Sequence, residues 1–93
     1  FREFDAFVSP EEDIIIFSSD RPGGLGRADI YVSHLENGRW SEPENLGVAV
    51  NSEASEYGAM LSPDGLFLFF TSSRTGMEDI YWVSAEVLGL STR

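Results

Sequence analysis

A charged pair recurs along this chain: Arg21 precedes Asp29, and Arg74 precedes Asp79. Each Arg closes an apolar run and each Asp opens the next one, so a hairpin between the runs would bring them together. The chemistry expected there is structural, either an ion pair or a carboxylate bonded to the loop backbone, and an exposed pair contributes only about 0 to 1 kcal/mol. His34 is the single imidazole. Without cysteine or a second histidine it makes no zinc site, and without a serine or cysteine placed beside it no nucleophilic triad. The 16 acidic side chains could supply a glycosidase-type pair, but no spacing singles two of them out, so surface solvation is the expectation. The stretch Pro22-Gly23-Gly24-Leu25-Gly26 resembles a phosphate loop only in its glycines. No Lys-Ser/Thr follows and the next element is a strand, so a flexible loop is expected.

The bulk properties narrow the function classes further. A formal charge of −10 opposes nucleic acid, whose binding relies on Lys and Arg neutralising phosphates, and opposes an anionic membrane surface. The absence of cysteine removes disulfides, thiolate nucleophiles and cysteine metal sites. No run approaches the roughly 18 consecutive apolar residues of a membrane span, so no membrane insertion is expected. No cofactor or metal is called for by any motif.

The elements that must position these side chains are written twice. Ser9-Pro10-Glu11-Glu12-Asp13-Ile14-Ile15-Ile16-Phe17-Ser18-Ser19-Asp20-Arg21 with Ala28-Asp29-Ile30-Tyr31-Val32-Ser33 is answered by Ser62-Pro63-Asp64-Gly65-Leu66-Phe67-Leu68-Phe69-Phe70-Thr71-Ser72-Ser73-Arg74 with Glu78-Asp79-Ile80-Tyr81-Trp82-Val83-Ser84. Upstream, Glu3-Phe4-Asp5-Ala6 answers Glu56-Tyr57-Gly58-Ala59. Three extra residues in the first copy fall best at Gly24-Leu25-Gly26. A period near 50 built from short strands marks a stacked or radial β repeat, and such repeats need about three or more copies, or self-assembly, to cover their faces.

Strands are expected over 4–8, 14–18, 29–35, 40–46, 57–61, 66–71 and 79–85. The runs 14–18 and 66–71 are too short for helices and too continuously apolar for one-sided strands, so burial on both faces is predicted. Pro43 places the 40–46 strand at an edge, because proline cannot donate to a ladder. The second copy lacks that strand, and residues 84–90 could wind into a short turn. Ser62-Pro63-Asp64-Gly65 is a turn in which Pro presets φ, Asp caps its own backbone and Gly takes the positive φ. Glu12 stands at the Gly65 place in the first copy, at a cost on the order of 1 kcal/mol, which predicts a looser hairpin. Trp40, Trp82, Tyr31, Tyr57 and Tyr81 could form a sugar-stacking platform, but Tyr31 and Tyr81 occupy equivalent places, which favours core packing.

On these residues the chain resembles the WD40-like β-propeller repeat of the TolB-like group. The resemblance rests on Glu56 with Ser62-Pro63-Asp64-Gly65, on Ser72-Ser73-Arg74-Thr75-Gly76, on Asp79-Ile80-Tyr81, and on the linker Gly38-Arg39-Trp40-Ser41-Glu42-Pro43-Glu44-Asn45-Leu46-Gly47 through Val50-Asn51-Ser52. Glu12 departs from the pattern's Gly, and Ala6 and Ala59 stand where Pro is common. The resemblance implies an all-β fold of four-stranded antiparallel propeller blades, the C-terminal part of a propeller, with one blade over 1–49 and a second, short of its fourth strand, over 50–93. It implies a noncatalytic binding or scaffold module of an exported bacterial protein, periplasmic, extracellular or at the cell envelope, engaging a protein partner. The alternative is the propeller portion of a peptidase or of a polysaccharide lyase or glycan hydrolase whose catalytic residues lie elsewhere. In the family topology Glu3 and Glu56 begin innermost strands while Arg21 and Arg74 occupy loops on the same rim, so these four are either a contact surface or paired among themselves. Leaving Phe67, Phe69, Ile14 and Ile16 on open blade faces would cost about 1.5 to 3 kcal/mol each, which predicts self-association through those faces.

Overall fold

The computed structural model describes residues 1–9, 11 and 13–89. The expectation of a loose hairpin at Glu12 lies outside the described residues. The chain forms β1 (Glu3–Val8), β2 (Ile14–Ser19), β3 (Asp29–Glu36), β4 (Arg39–Trp40) and β5 (Glu44–Asn45), then a 3-10 turn at Gly47–Ala49. There follow β6 (Glu56–Leu61), β7 (Phe67–Ser72), β8 (Asp79–Ser84) and a second 3-10 turn at Ala85–Leu88. The fold is all-β, as the apolar runs and turn signals imply, with two antiparallel sheets.

In the first sheet β1, β2 and β3 form a meander, and β4 and β5 both pair with β3. The single strand expected over 40–46 is thus two short pieces on the sheet edge. Proline 43 has no N–H to give, and Ser41 spans the gap instead: its N–H donates to His34 O at 2.7 Å, its Oγ accepts from His34 N at 3.0 Å, and its carbonyl accepts from Ser33 Oγ at 2.6 Å. The second sheet repeats the meander as β6-β7-β8, with no fourth strand among the described residues.

Both opening strands carry the same irregularity. The register between β1 and β2 slips between Phe4 and Phe7, and that between β6 and β7 slips between Tyr57 and Met60. Inside each slip one residue has positive φ, Asp5 at 54° and Gly58 at 65°. This is the geometry of a β-bulge, which bends a strand and re-aims its side chains.

The sheets pack face to face. Ile14, Ile16, Ile30 and Val32 from the first sheet meet Ala59, Leu68 and Phe70 from the second, with Val50, Ala85 and Leu88 sealing the margins. The closing 3-10 turn is capped by Ser84 Oγ, which accepts from Glu86 N at 3.2 Å, and is held to the first sheet by a 3.0 Å bond between His34 Nε2 and Leu88 O. Ala28 and Ser55 form a parallel bridge at the seam, where Glu56 N donates to Ala28 O at 2.9 Å.

Several expectations are corrected by this packing. Ile14 and Ile16 lie not on an open face but in the core between the sheets. Burial on both faces holds for β2 except at Ile15, which is half-buried on the outer face, whereas β7 is buried on one face only. Trp40 and Trp82 are not core residues: they are 43% and 62% exposed, while Tyr31 is buried. The reason is positional, since Trp40 sits on the sheet edge and Trp82 on the side of the second sheet away from the first.

Candidate functional site

The repeated charged residues assemble two copies of one clamp. Ser19, the last residue of β2, accepts with Oγ from Arg21 N at 3.1 Å and Arg21 Nε at 3.2 Å. Ser72, the last residue of β7, accepts in the same way from Arg74 N at 3.1 Å and Nε at 2.9 Å. A serine hydroxyl placed two residues before an arginine thereby turns the chain and aims the guanidinium back over the sheet. There Arg21 lies 4.9 Å from the centre of the Tyr31 ring and 5.6 Å from that of Phe17. Arg74 lies 4.6 Å from Tyr81 and 5.7 Å from Phe70. The rings beneath are themselves stacked, Phe17 on Tyr31 at 6.0 Å and Phe70 on Tyr81 at 5.9 Å.

Each guanidinium then reaches the acidic residue that opens its own sheet. Arg21 Nη2 bonds Glu3, and Arg74 Nη2 lies 3.6 Å from Glu56 Oε2. Of the two readings open for Glu3, Arg21, Glu56 and Arg74, pairing among themselves is what the geometry gives. The expected Arg–Asp pairing within each repeat does not form, because the Ser–Arg turn points the guanidinium toward the first strand rather than the third. Asp29 instead takes the other expected course. It accepts from the backbone of Leu25 and, at 3.1 Å, of Gly26, and from Asn45 Nδ2 at 2.9 Å. The glycine loop is therefore bonded in place rather than free. A Cβ at Gly26 would fall 2.3 Å from both Ser52 O and Ala54 O, so only glycine allows this approach to the linker. Asp79 is exposed, and its carboxylate accepts from Thr75 Oγ1 at 3.5 Å.

The two clamps differ in depth. Glu3 has a side chain 51% exposed, whereas Glu56 is wholly buried. The buried carboxylate is satisfied by Ser52 N at 2.9 Å, Ser52 Oγ at 2.5 Å and Ser72 Oγ at 2.7 Å, besides Arg74. Arg74 also donates to Val50 O, which fastens the linker. Asn51 completes the fastening. Its Oδ1 accepts from Ile30 N at 2.7 Å and its Nδ2 donates to Ile30 O at 3.0 Å and Asn45 Oδ1 at 2.9 Å, so a side-chain amide pairs with the β3 backbone as a strand would. Sequence reasoning missed Ser19, Ser72, Asn51 and Ser52 as partners. The serines recur at matched places, a usable signal; Asn51 and Ser52 occur once and give none.

The Ser62-Pro63-Asp64-Gly65 turn forms as its residues predict. Asp64 Oδ1 accepts from Ser62 Oγ at 2.6 Å and Leu66 N at 3.0 Å, Ser62 Oγ accepts from Phe67 N at 3.1 Å, and Gly65 has φ of 76°. The Ser62 hydroxyl, helped by the Leu66 N–H, holds the Asp64 carboxyl below its ordinary range. Elsewhere on the surface the Arg2 N–H lowers Asp20, and the Glu78 carboxylate that Tyr57 bonds raises the Tyr57 phenol.

Among the described residues, several surfaces are open to a ligand. A cleft of about 640 Å³ at the seam is lined by Arg27, Ser52, Glu53, Ala54, Ser73 and Arg74, among others. A groove of about 340 Å³ on the outside of the first sheet is lined by Ala6, Ile15, Phe17, Trp40 and Pro43 among others. The outer face of the second sheet exposes Met60, Ile80 and Trp82, with Phe67 edge-on to Trp82 at 5.3 Å. Among the described residues no three His, Asp or Glu side chains gather as metal ligands, and no helix is long and apolar enough to cross a membrane. Neither a family model nor a curated protein matches the chain.

Proposed function

We propose that the chain is a noncatalytic binding or scaffold module made of two successive blades of a TolB-like β-propeller, working in the periplasm or at the cell envelope through contacts with protein. The observation that carries this reading is the duplicated clamp. The same Glu–Ser–Arg arrangement over a stacked aromatic pair is built in both sheets, and the glutamate and arginine that each repeat shares are consumed in holding strands together. Side chains spent in this way are poor catalysts, since a general acid or base must be within reach of a substrate proton. Besides the seam cleft, the molecule leaves apolar sheet surface available at Met60, Ile80 and Trp82, the kind of area that protein partners cover.

An activity screen of the chain against peptide and glycan substrates tests the proposal. No turnover above that of a heat-denatured control is expected. Turnover that disappears on replacing His34 or a surface carboxylate would overturn it and favour the enzyme-associated alternative.

A further inference from the structure

The two repeats correspond residue by residue. Ile14, Ile16, Ile30 and Val32 of the first sheet occupy the places of Phe67, Phe69, Ile80 and Trp82 in the second, with Ile16 opposite Val32 and Phe69 opposite Trp82. In the first sheet this face is the core of the molecule, no residue of the four being more than 2% exposed. In the second sheet no element among the described residues lies over the same face, and Ile80 and Trp82 are 75% and 62% exposed.

The opposite faces show the converse. The second sheet meets the first with Ala59, Leu68 and Phe70, whose counterparts are Ala6, Ile15 and Phe17. Those three line the groove outside the first sheet, with Trp40 at its side. Ala59 is 4% exposed under its neighbour, whereas Ala6 is exposed. Among the described residues there is therefore one unpaired copy of each half of an interface that the molecule already makes internally. The indole of Trp82 is larger than its counterpart Val32, and the surface that would receive it is an open groove rather than a closed seam.

We infer that a second copy of this chain stacks head to tail on the second sheet, seating Ile80 and Trp82 in the groove over Ala6 and Ile15 and repeating between molecules the contact made within one. This rests on reading the two sheets as successive repeats. The contact uses different surfaces on the two copies, so it grows into rings where the rotation closes and into open stacks where it does not.

The experiment is sedimentation velocity on the wild type, on Trp82→Glu, on Ala6→Arg and on an equimolar mixture of the two variants. The wild type is expected at multiples of its 10.3 kDa mass. Each variant alone is expected at 10.3 kDa, and the mixture as a pair of chains, because each variant keeps the face that the other has lost. Three results overturn the inference: a monomeric wild type, an Ala6→Arg variant that associates as the wild type does, which would mean two second sheets meeting back to back, or a mixture that stays monomeric. Both substituted positions are exposed, and circular dichroism checks that the variants fold. If one does not, Ile80→Lys and Trp40→Glu remove the same two faces. Association is read independently of turnover, so its failure leaves the noncatalytic proposal standing and is distinguishable from that proposal's failure.

Discussion

At the scale of single residues, the two clamps form a natural comparison because their chemistry is the same and their depth is not. Glu56 is enclosed, accepts from Ser52 and Ser72 and ion-pairs with Arg74 at 3.6 Å, so its removal takes a partner from each of the three inside the seam. Breaking a buried pair costs about 3 kcal/mol or more, while an exposed pair is worth about 0 to 1 kcal/mol. Urea unfolding of Glu56→Ala is therefore expected to show a loss several-fold larger than that of Glu3→Ala, and equal losses would mean that the Glu56 network is dispensable. A second comparison concerns the bulges. Asp5 is held at a φ that an L side chain adopts at a cost of about 1 kcal/mol or more, at the place where the other repeat uses glycine. Gly58→Ala is expected to destabilise by about 1 kcal/mol, since its Cβ would meet only Thr71 Oγ1 at 3.7 Å and the penalty is conformational. Asp5→Gly relieves the same strain and is expected to be neutral or stabilising in thermal melts. A marked loss in that variant would show that the Asp5 side chain, not its backbone, matters there.

At the scale of elements, the turn between β6 and β7 can be followed by pH. Asp64 has its pKa lowered first by the Ser62 hydroxyl and then by the Leu66 N–H. A depressed carboxyl contributes stability that is fully present above its unfolded-state value and is lost as pH falls through the folded-state value. The window thus lies in acid, below the ordinary aspartate value of 3.8. Carbon-detected NMR titration should place the Asp64 midpoint under that value and return it toward 3.8 in Ser62→Ala; an unchanged midpoint would deny the hydroxyl its role. This turn was readable in the sequence because Pro, Asp and Gly each act locally, and so were the strands, bounded by such turns. The clamps were half readable. Arg21 and Arg74 stood out by repetition, and pairing with Glu3 and Glu56 was one of the two readings open, but the serine turn that sends each guanidinium to the first strand was not legible, and neither was the burial of Glu56, which looks like any surface glutamate in sequence. Asn51 was silent for a related reason, since its partner Ile30 lies 21 residues away and offers backbone rather than side chain. Which aromatics face water was also hidden, because Trp82 and Val32 occupy the same place and only the stacking order decides which is covered.

At the scale of the whole molecule, attraction between apolar faces competes with the repulsion of chains that each carry −10. The exposed face offers Ile80, Trp82, Met60 and Phe67, whose burial is worth about 1.5 to 3 kcal/mol for a large side chain fully covered. Against this, like-charged molecules oppose one another over the Debye length, which is about 30 Å at 0.01 M ionic strength and about 3 Å at 1 M. The molecule is 19 Å across its thinnest dimension, so in dilute buffer each copy feels its neighbour's charge across its full thickness, and in concentrated salt hardly at all. Apolar burial is not weakened by the same change and is strengthened by salts excluded from protein surfaces. Association is therefore expected to rise with ionic strength, and sedimentation at fixed protein concentration should show the average mass increasing from low salt to about 1 M sodium chloride. The opposite trend would identify the contact as one held by opposite charges, and would point to the seam cleft with Arg27 and Arg74 instead of the Trp82 face.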